Sequence, residues 1–184
     1  METLSYALSL LGLAAMLTAS LIKGKRMDAI LLFVFLGNML ISTSYLVGGT
    51  GINGAAAGYL GSFQTVVNYL FLRKDKPLPK RLIVLFFISS ILLNVWIAKG
   101  FDIFVALIML AGVAFLMGII SKNGAKYRFW AILNITIFCI YDIVSGSWNV
   151  LLTHGFQLLV TLVGAIIHDR KKKNKMSDEV LAVE

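Results

Sequence analysis

Charge is scarce in this sequence, and so are the residues that staple or punctuate a soluble fold. Of 184 residues only 14% are charged, with 2 prolines and 1 cysteine. A lone cysteine excludes an intramolecular disulfide framework and a cysteine-rich metal site. So few prolines, with 16 glycines, exclude collagen-like and low-complexity chains. Catalytic signatures are missing as well: there is no H-E-x-x-H, no G-x-S-x-G and no phosphate-binding P-loop. Two histidines and scattered carboxylates make no catalytic constellation without a nucleophile and a base, so neither enzyme, metal nor cofactor is expected. What the chain has instead is 59% hydrophobic residues and a mean hydropathy of +0.86. A soluble domain carries about 45–50% apolar and about 25% charged residues. The composition is that of an all-α integral membrane protein.

Seven stretches approach the roughly 20 apolar residues needed to cross a bilayer as a helix. They are Leu4–Ile22, Ala29–Val47, Ala55–Leu72, Leu82–Ala98, Ile103–Ile120, Phe129–Ser145 and Val150–Ile167. Basic residues follow every second one: Lys23, Lys25 and Arg26; Arg73, Lys74, Lys76, Lys80 and Arg81; Lys122, Lys126 and Arg128; then Arg170–Lys173 and Lys175. Only Lys99 falls on the other side, beside Asp102. The positive-inside rule then predicts an outside N-terminus and a cytoplasmic C-terminus. Leu4–Ser20 lacks the basic n-region of a cleaved signal, and its charges come after the apolar run, so a retained helix is expected. The net charge of +8 therefore anchors topology, and no nucleic-acid partner is expected. The run Arg170–Lys175 abuts the last span, where it would meet anionic lipid. Cys139 lies within the sixth span, as a small packed hydrophobe.

Motifs recur between the two halves. Asn38-x2-Ile41-x3-Tyr45 matches Asn134-x2-Ile137-x3-Tyr141 in spacing, and Phe63-Gln64 matches Phe156-Gln157 within the third and seventh spans. Gly12 pairs with Gly112, each followed by a lysine, Lys23 or Lys122. The chain reads as a first three-helix repeat (residues 1–74), a loop and linker helix (75–100), a second repeat (101–169) and a basic-then-acidic tail (170–184). Two three-helix units joined directly would be inverted, and one intervening helix makes them parallel about an axis along the membrane normal, as in SWEET carriers.

The 3+1+3 layout, the orientation and the size resemble the SWEET and PQ-loop superfamily. The second half, from Tyr127 through Trp148 to Arg170-Lys-Lys-Lys, resembles the YgjV-type family of small bacterial inner-membrane proteins. That resemblance implies a multi-pass protein of the bacterial cytoplasmic membrane. One departure matters: SWEET carriers hinge on helix prolines, whereas Pro77 and Pro79 both fall in a loop and no Pro-Gln pair exists.

Polar side chains inside a span usually face the bundle interior. Gly54, Gly58, Gly61, Gln64, Thr65 and Asn68 share one arc of the third span; Thr153, His154, Gln157, Thr161 and Gly164 mark the seventh. The second span offers Asn38, Ser42, Tyr45 and Gly49, and the sixth offers Asn134, Phe138, Tyr141 and Ser145. Two explanations stand: small residues and amides packing helices together, or stripes lining a cavity. In the second, Asn38, Gln64, Asn68, Asn134, Gln157 and Thr161 bind a polar, uncharged solute, and Tyr45, Tyr141, Asp142 and His154 gate it. Asp142 is the only acidic residue within a span. It is either an interfacial carboxylate reaching water, or a partner of His154, a gate with Tyr45, or a proton carrier. The resemblance itself suggests the Tyr45–Asp142 pair, because SWEET-like carriers close their outer side with such a contact. A small carrier working by alternating access, as monomer or homodimer, is therefore expected. Its alternative is a non-transporting receptor, assembly factor or structural subunit on the same fold.

Overall fold

The computed structural model describes residues 2–22, 26–49 and 51–181, with side chains through residue 167. It contains seven α-helices and, among the described residues, no strand: α1 (Glu2–Leu21), α2 (Met27–Gly48), α3 (Ile52–Leu72), α4 (Lys80–Ala98), α5 (Ile103–Ile119), α6 (Gly124–Ser145) and α7 (Trp148–Leu181). Five of them, α1, α2, α4, α6 and the Trp148–Ile167 part of α7, are long and apolar enough to cross a membrane. Of the other two, α5 is apolar but only 17 residues long. α3 has the length, but Asn53, Gln64, Asn68 and its glycines dilute its apolar content.

The helices outrun the apolar windows read from sequence. Asp28, Lys80, Arg81 and Lys126 lie in opening turns, where a helix meets the hydrated interface and charge is tolerated although the hydrophobic run has stopped. α7 likewise continues past Ile167 to Leu181, so the expected tail is helical that far. The side chains of Arg170–Lys175, and residues Lys23 and Lys25, lie outside the described residues, as does the lipid contact expected of that run.

Local chemistry sets the helix ends. Asp102 caps α5 by accepting from the Val105 amide at 2.8 Å, and Asn123 caps α6 by accepting from the amides of Ala125 and Lys126. α2 and α6 both end on a left-handed glycine, Gly49 (φ 68°) and Gly146 (φ 69°), the conformation glycine adopts at least cost.

The packing order is simple. α1, α2 and α3 pack serially, and α5, α6 and α7 do the same. α3 meets α5 and α7 meets α1, which closes a ring in the order α1, α2, α3, α5, α6, α7. α4 lies outside it against α3 and α5, burying only a stripe of Phe86, Ser90 and Asn94. Where lipid replaces water, helices associate through close van der Waals fit instead of hydrophobic exclusion. α1 and α2 do so at Gly12 and Gly37: a Cβ on Gly12 would stand 2.7 Å from Ile41 and 3.2 Å from the Gly37 carbonyl. Ile30, Val34, Ile108 and Val150 are fully buried within the ring. The outside of the bundle, α4 included, carries Leu10, Leu36, Phe63, Leu92, Leu152 and Leu159, all exposed. A water-facing surface of this kind would aggregate; facing acyl chains it is the ordinary state. The chain is a multi-pass helical membrane protein.

Candidate functional site: an amide-lined cavity beneath a buried tyrosine–aspartate–histidine cluster

A cavity lies inside the ring, lined from α2 by Asn38, Ser42 and Tyr45, from α3 by Gly58 and Gln64, from α6 by Asn134 and Phe138, and from α7 by His154 and Gln157. Its space for the centres of water molecules is about 60 Å³, and one water needs about 10–15 Å³ measured this way. It therefore holds a few waters or one small polar group.

The amides lining it differ in what they already do. Asn134 Nδ2 donates to the Ala111 carbonyl of α5 at 2.8 Å. Gln64 is buried, at 5% exposure, and makes no side-chain hydrogen bond among the described residues. Asn38 Nδ2 and Gln157 Oε1 are buried without a hydrogen-bond partner among the described residues. A donor and an acceptor thus stand unsatisfied in one cavity, a costly arrangement in a packed protein. Both have the chemistry to hold a hydroxyl or amide group.

Two residues expected in this set lie elsewhere. Asn68 Nδ2 donates to the Ile119 carbonyl at the end of α5. It lines a second cavity of about 280 Å³ at the basic end of the bundle, beside Lys76, Lys80 and Lys122. Thr161 bonds Ser20 Oγ at 2.9 Å and donates to the Gln157 carbonyl at 2.7 Å, in the seam between α7 and α1. Helical periodicity set both on the correct face. It did not resolve that this face meets a neighbouring helix at one depth and a cavity at another.

The four residues expected to gate converge at the end opposite the basic clusters. The Tyr45 hydroxyl, on α2, donates to Asp142 Oδ1 on α6. His154 Nδ1, on α7, bonds Asp142 Oδ2 at 2.6 Å. Tyr141 accepts from the Gly54 amide at 3.0 Å, and its ring meets Tyr45 edge-on with centroids 6.3 Å apart. Gly51 makes room for this cluster: its φ is +65°, and a Cβ there would stand 2.8 Å from the Tyr45 ring. Asp142 has 0% exposure, so the interfacial carboxylate reaching water is corrected to a buried one. A membrane-buried carboxylate persists only where partners satisfy it. Here a phenol and an imidazole do.

Sequence reasoning missed two features. Buried Ser5, Ser9 and Ser44 and half-buried Asn149 form a hydrogen-bonded cluster joining α1, α2 and α7: Ser9 and Ser44 hydroxyls are 2.6 Å apart, and Asn149 Nδ2 donates to Ser5 Oγ at 2.7 Å. The i, i+4 spacing of Ser5 and Ser9 was its only signal. Arg128, counted with an interfacial basic cluster, is 3% exposed. It packs near Gly164 of α7, where a Cβ would stand 3.8 Å from its Cδ. Only contact with the other helices distinguishes it from its solvated neighbour Lys126. Comparison with family models, curated proteins and solved structures finds no match to this chain.

Proposed function

We propose that the protein is a small SWEET-like carrier that moves a polar, uncharged metabolite across a bacterial cytoplasmic membrane by alternating access. In this proposal α1–α3 and α5–α7 are parallel repeats, α4 is the linker that sets their common orientation, and the N-terminus lies outside. The two triplets' common serial order, and the ring closed by α3–α5 and α7–α1 contacts, support the repeat. Residues paired by the sequence motifs, Asn38 with Asn134 and Gln64 with Gln157, line one cavity, and Tyr45 meets Tyr141.

One observation carries the proposal: an amide-lined cavity between the triplets, with an unpaired donor and acceptor, lies beneath a buried cross-bundle cluster of Tyr45, Asp142 and His154. A cavity with both hydrogen-bonding senses and no lining Lys or Arg suits a neutral solute better than a carboxylate or phosphate. Drug-sized ligands occupy pockets of about 300–1,000 Å³, so the cavity is that of a closed state and loading requires the triplets to separate. The resemblance to YgjV-type proteins and to SWEET carriers fits this assignment.

The rival is a receptor or structural subunit whose polar stripes merely pack helices, and the tight glycine contacts of α1 with α2 favour it. The two separate in proteoliposomes. We expect uptake of at least one neutral solute among labelled sugars, amino acids and vitamin-like compounds, saturable and lost when Gln64 and Gln157 are both changed to Leu. No uptake of any of them by a verified folded preparation would transfer the case to the packing alternative.

A further inference from the structure

We infer that Asp142 and His154 form a proton-binding site that fills when the outer mouth closes, which would make the protein a solute–proton symporter. The inference rests on the transport proposal above and adds the second cargo.

Asp142 is fully buried and His154 nearly so, at 6% exposure. Imidazole Nδ1 and carboxylate are 2.6 Å apart, and the ring packs on Phe138 with centroids 5.1 Å apart. Nε2 lies on the far side of that ring from Asp142, and His154 lines the solute cavity. Charge then decides the protonation state. With an anionic carboxylate and a neutral imidazole the dyad carries one net negative charge. Burying that charge without a cation inside a membrane is strongly disfavoured.

Among the described residues, the titratable groups around it include no compensating cation. Tyr45 faces it from α2, Tyr141 and Cys139 from α6, and Asp102 lies at the start of α5 beyond Tyr141. Its one ion pair among the described residues is internal. One added proton makes the dyad neutral overall, whichever partner carries it. The closed mouth therefore holds that proton. Opened to the outer solution, the same groups are hydrated and release it. By linkage, acid favours the closed mouth and alkali the open one. When the inner side opens instead, the proton leaves from His154 Nε2 through the cavity, together with the solute. One proton enters from outside per closure and one leaves inside per cycle.

The test needs no solute. Spin labels at Ile52→Cys and Trp148→Cys, both exposed at the outer starts of α3 and α7, with Cys139→Ser, report the width of the mouth. The full chain is measured in lipid nanodiscs from about pH 5 to about pH 9, the span in which an imidazole changes charge. We expect a short distance in acid, giving way to a longer one with a one-proton slope. In Asp142→Asn the site is neutral without a proton, so the short distance persists throughout. In His154→Gln the carboxyl alone must take the proton, so the midpoint moves to lower pH. A wild-type distance independent of pH overturns the inference. So does pH dependence surviving Asp142→Asn, or an unmoved midpoint in His154→Gln, which decides the matter should the Asn variant not fold. Uptake failing while the mouth still follows pH removes transport but retains the proton site; uptake succeeding with a pH-independent mouth retains transport and removes the proton site, and symport with it.

Discussion

Gln157 and Asn134 show how two amides of the same cavity differ in kind. Asn134 already bonds the Ala111 carbonyl, whereas Gln157 Oε1 bonds nothing among the described residues. Asn134→Leu should lower stability in thermal or denaturant unfolding by about 0.6–1.7 kcal/mol, the range for an interhelical hydrogen bond in a membrane. Gln157→Leu should leave stability unchanged or raised, because it removes an orphaned acceptor. A comparable loss in both variants would mean that Gln157 is a packing residue. Sequence brought these amides together because intramembrane Asn and Gln are rare and recurred at matched spacing. Asn68 and Thr161 carried the same signature yet bond Ile119 and Ser20. The sequence names a face and leaves open what stands opposite it.

Among the elements, α1 and α2 make the closest approach. Gly12 and Gly37 each leave less than 3 Å between a notional Cβ and a neighbouring side chain, with backbone carbonyls 3.2 Å away. Gly12→Val should therefore separate the two helices and cost about 1–3 kcal/mol, as overpacked cores do. Retained unfolding temperature in that variant would show the approach to be looser than drawn. All seven helices were legible from apolar runs, since bilayer thickness fixes their length. Their ends were less so: Met27, Lys80 and Gly124 begin helices ahead of the apolar windows, because the interface tolerates polar first turns. The peripheral place of α4 was not legible. Its apolar run resembles the others, and only its narrow buried stripe of Phe86, Ser90 and Asn94 tells that it lies outside the ring.

At the scale of the whole molecule, the ring's two closing seams are held differently. The α1–α7 seam is hydrogen-bonded near both ends, by Ser5 with Asn149 and by Ser20 with Thr161, and at Gly164 a Cβ would stand 3.0 Å from the Ser20 carbonyl. Across the α3–α5 seam the described residues make one hydrogen bond, from Asn68 to Ile119 at the basic end. A disulfide between Ser20→Cys and Thr161→Cys, in a Cys139→Ser chain, should consequently leave solute uptake within about twofold of the reduced protein, since about 0.4 kcal/mol is all that such a factor represents. Uptake abolished by oxidation and restored by reductant would show that this seam must part.

That difference between seams bears on how the ring opens in the proposed transport cycle. Two equal halves suggest a rocker, both halves tilting about the middle. A ring stitched along one side and nearly free along the other is instead a hinged book, with α1 and α7 as its spine and α3 and α5 as its fore-edge. α4 lies across that fore-edge, and its Phe86, Phe87 and Ser90 border the cavity. The helix proposed as the linker between the two triplets is thus placed to act as the clasp.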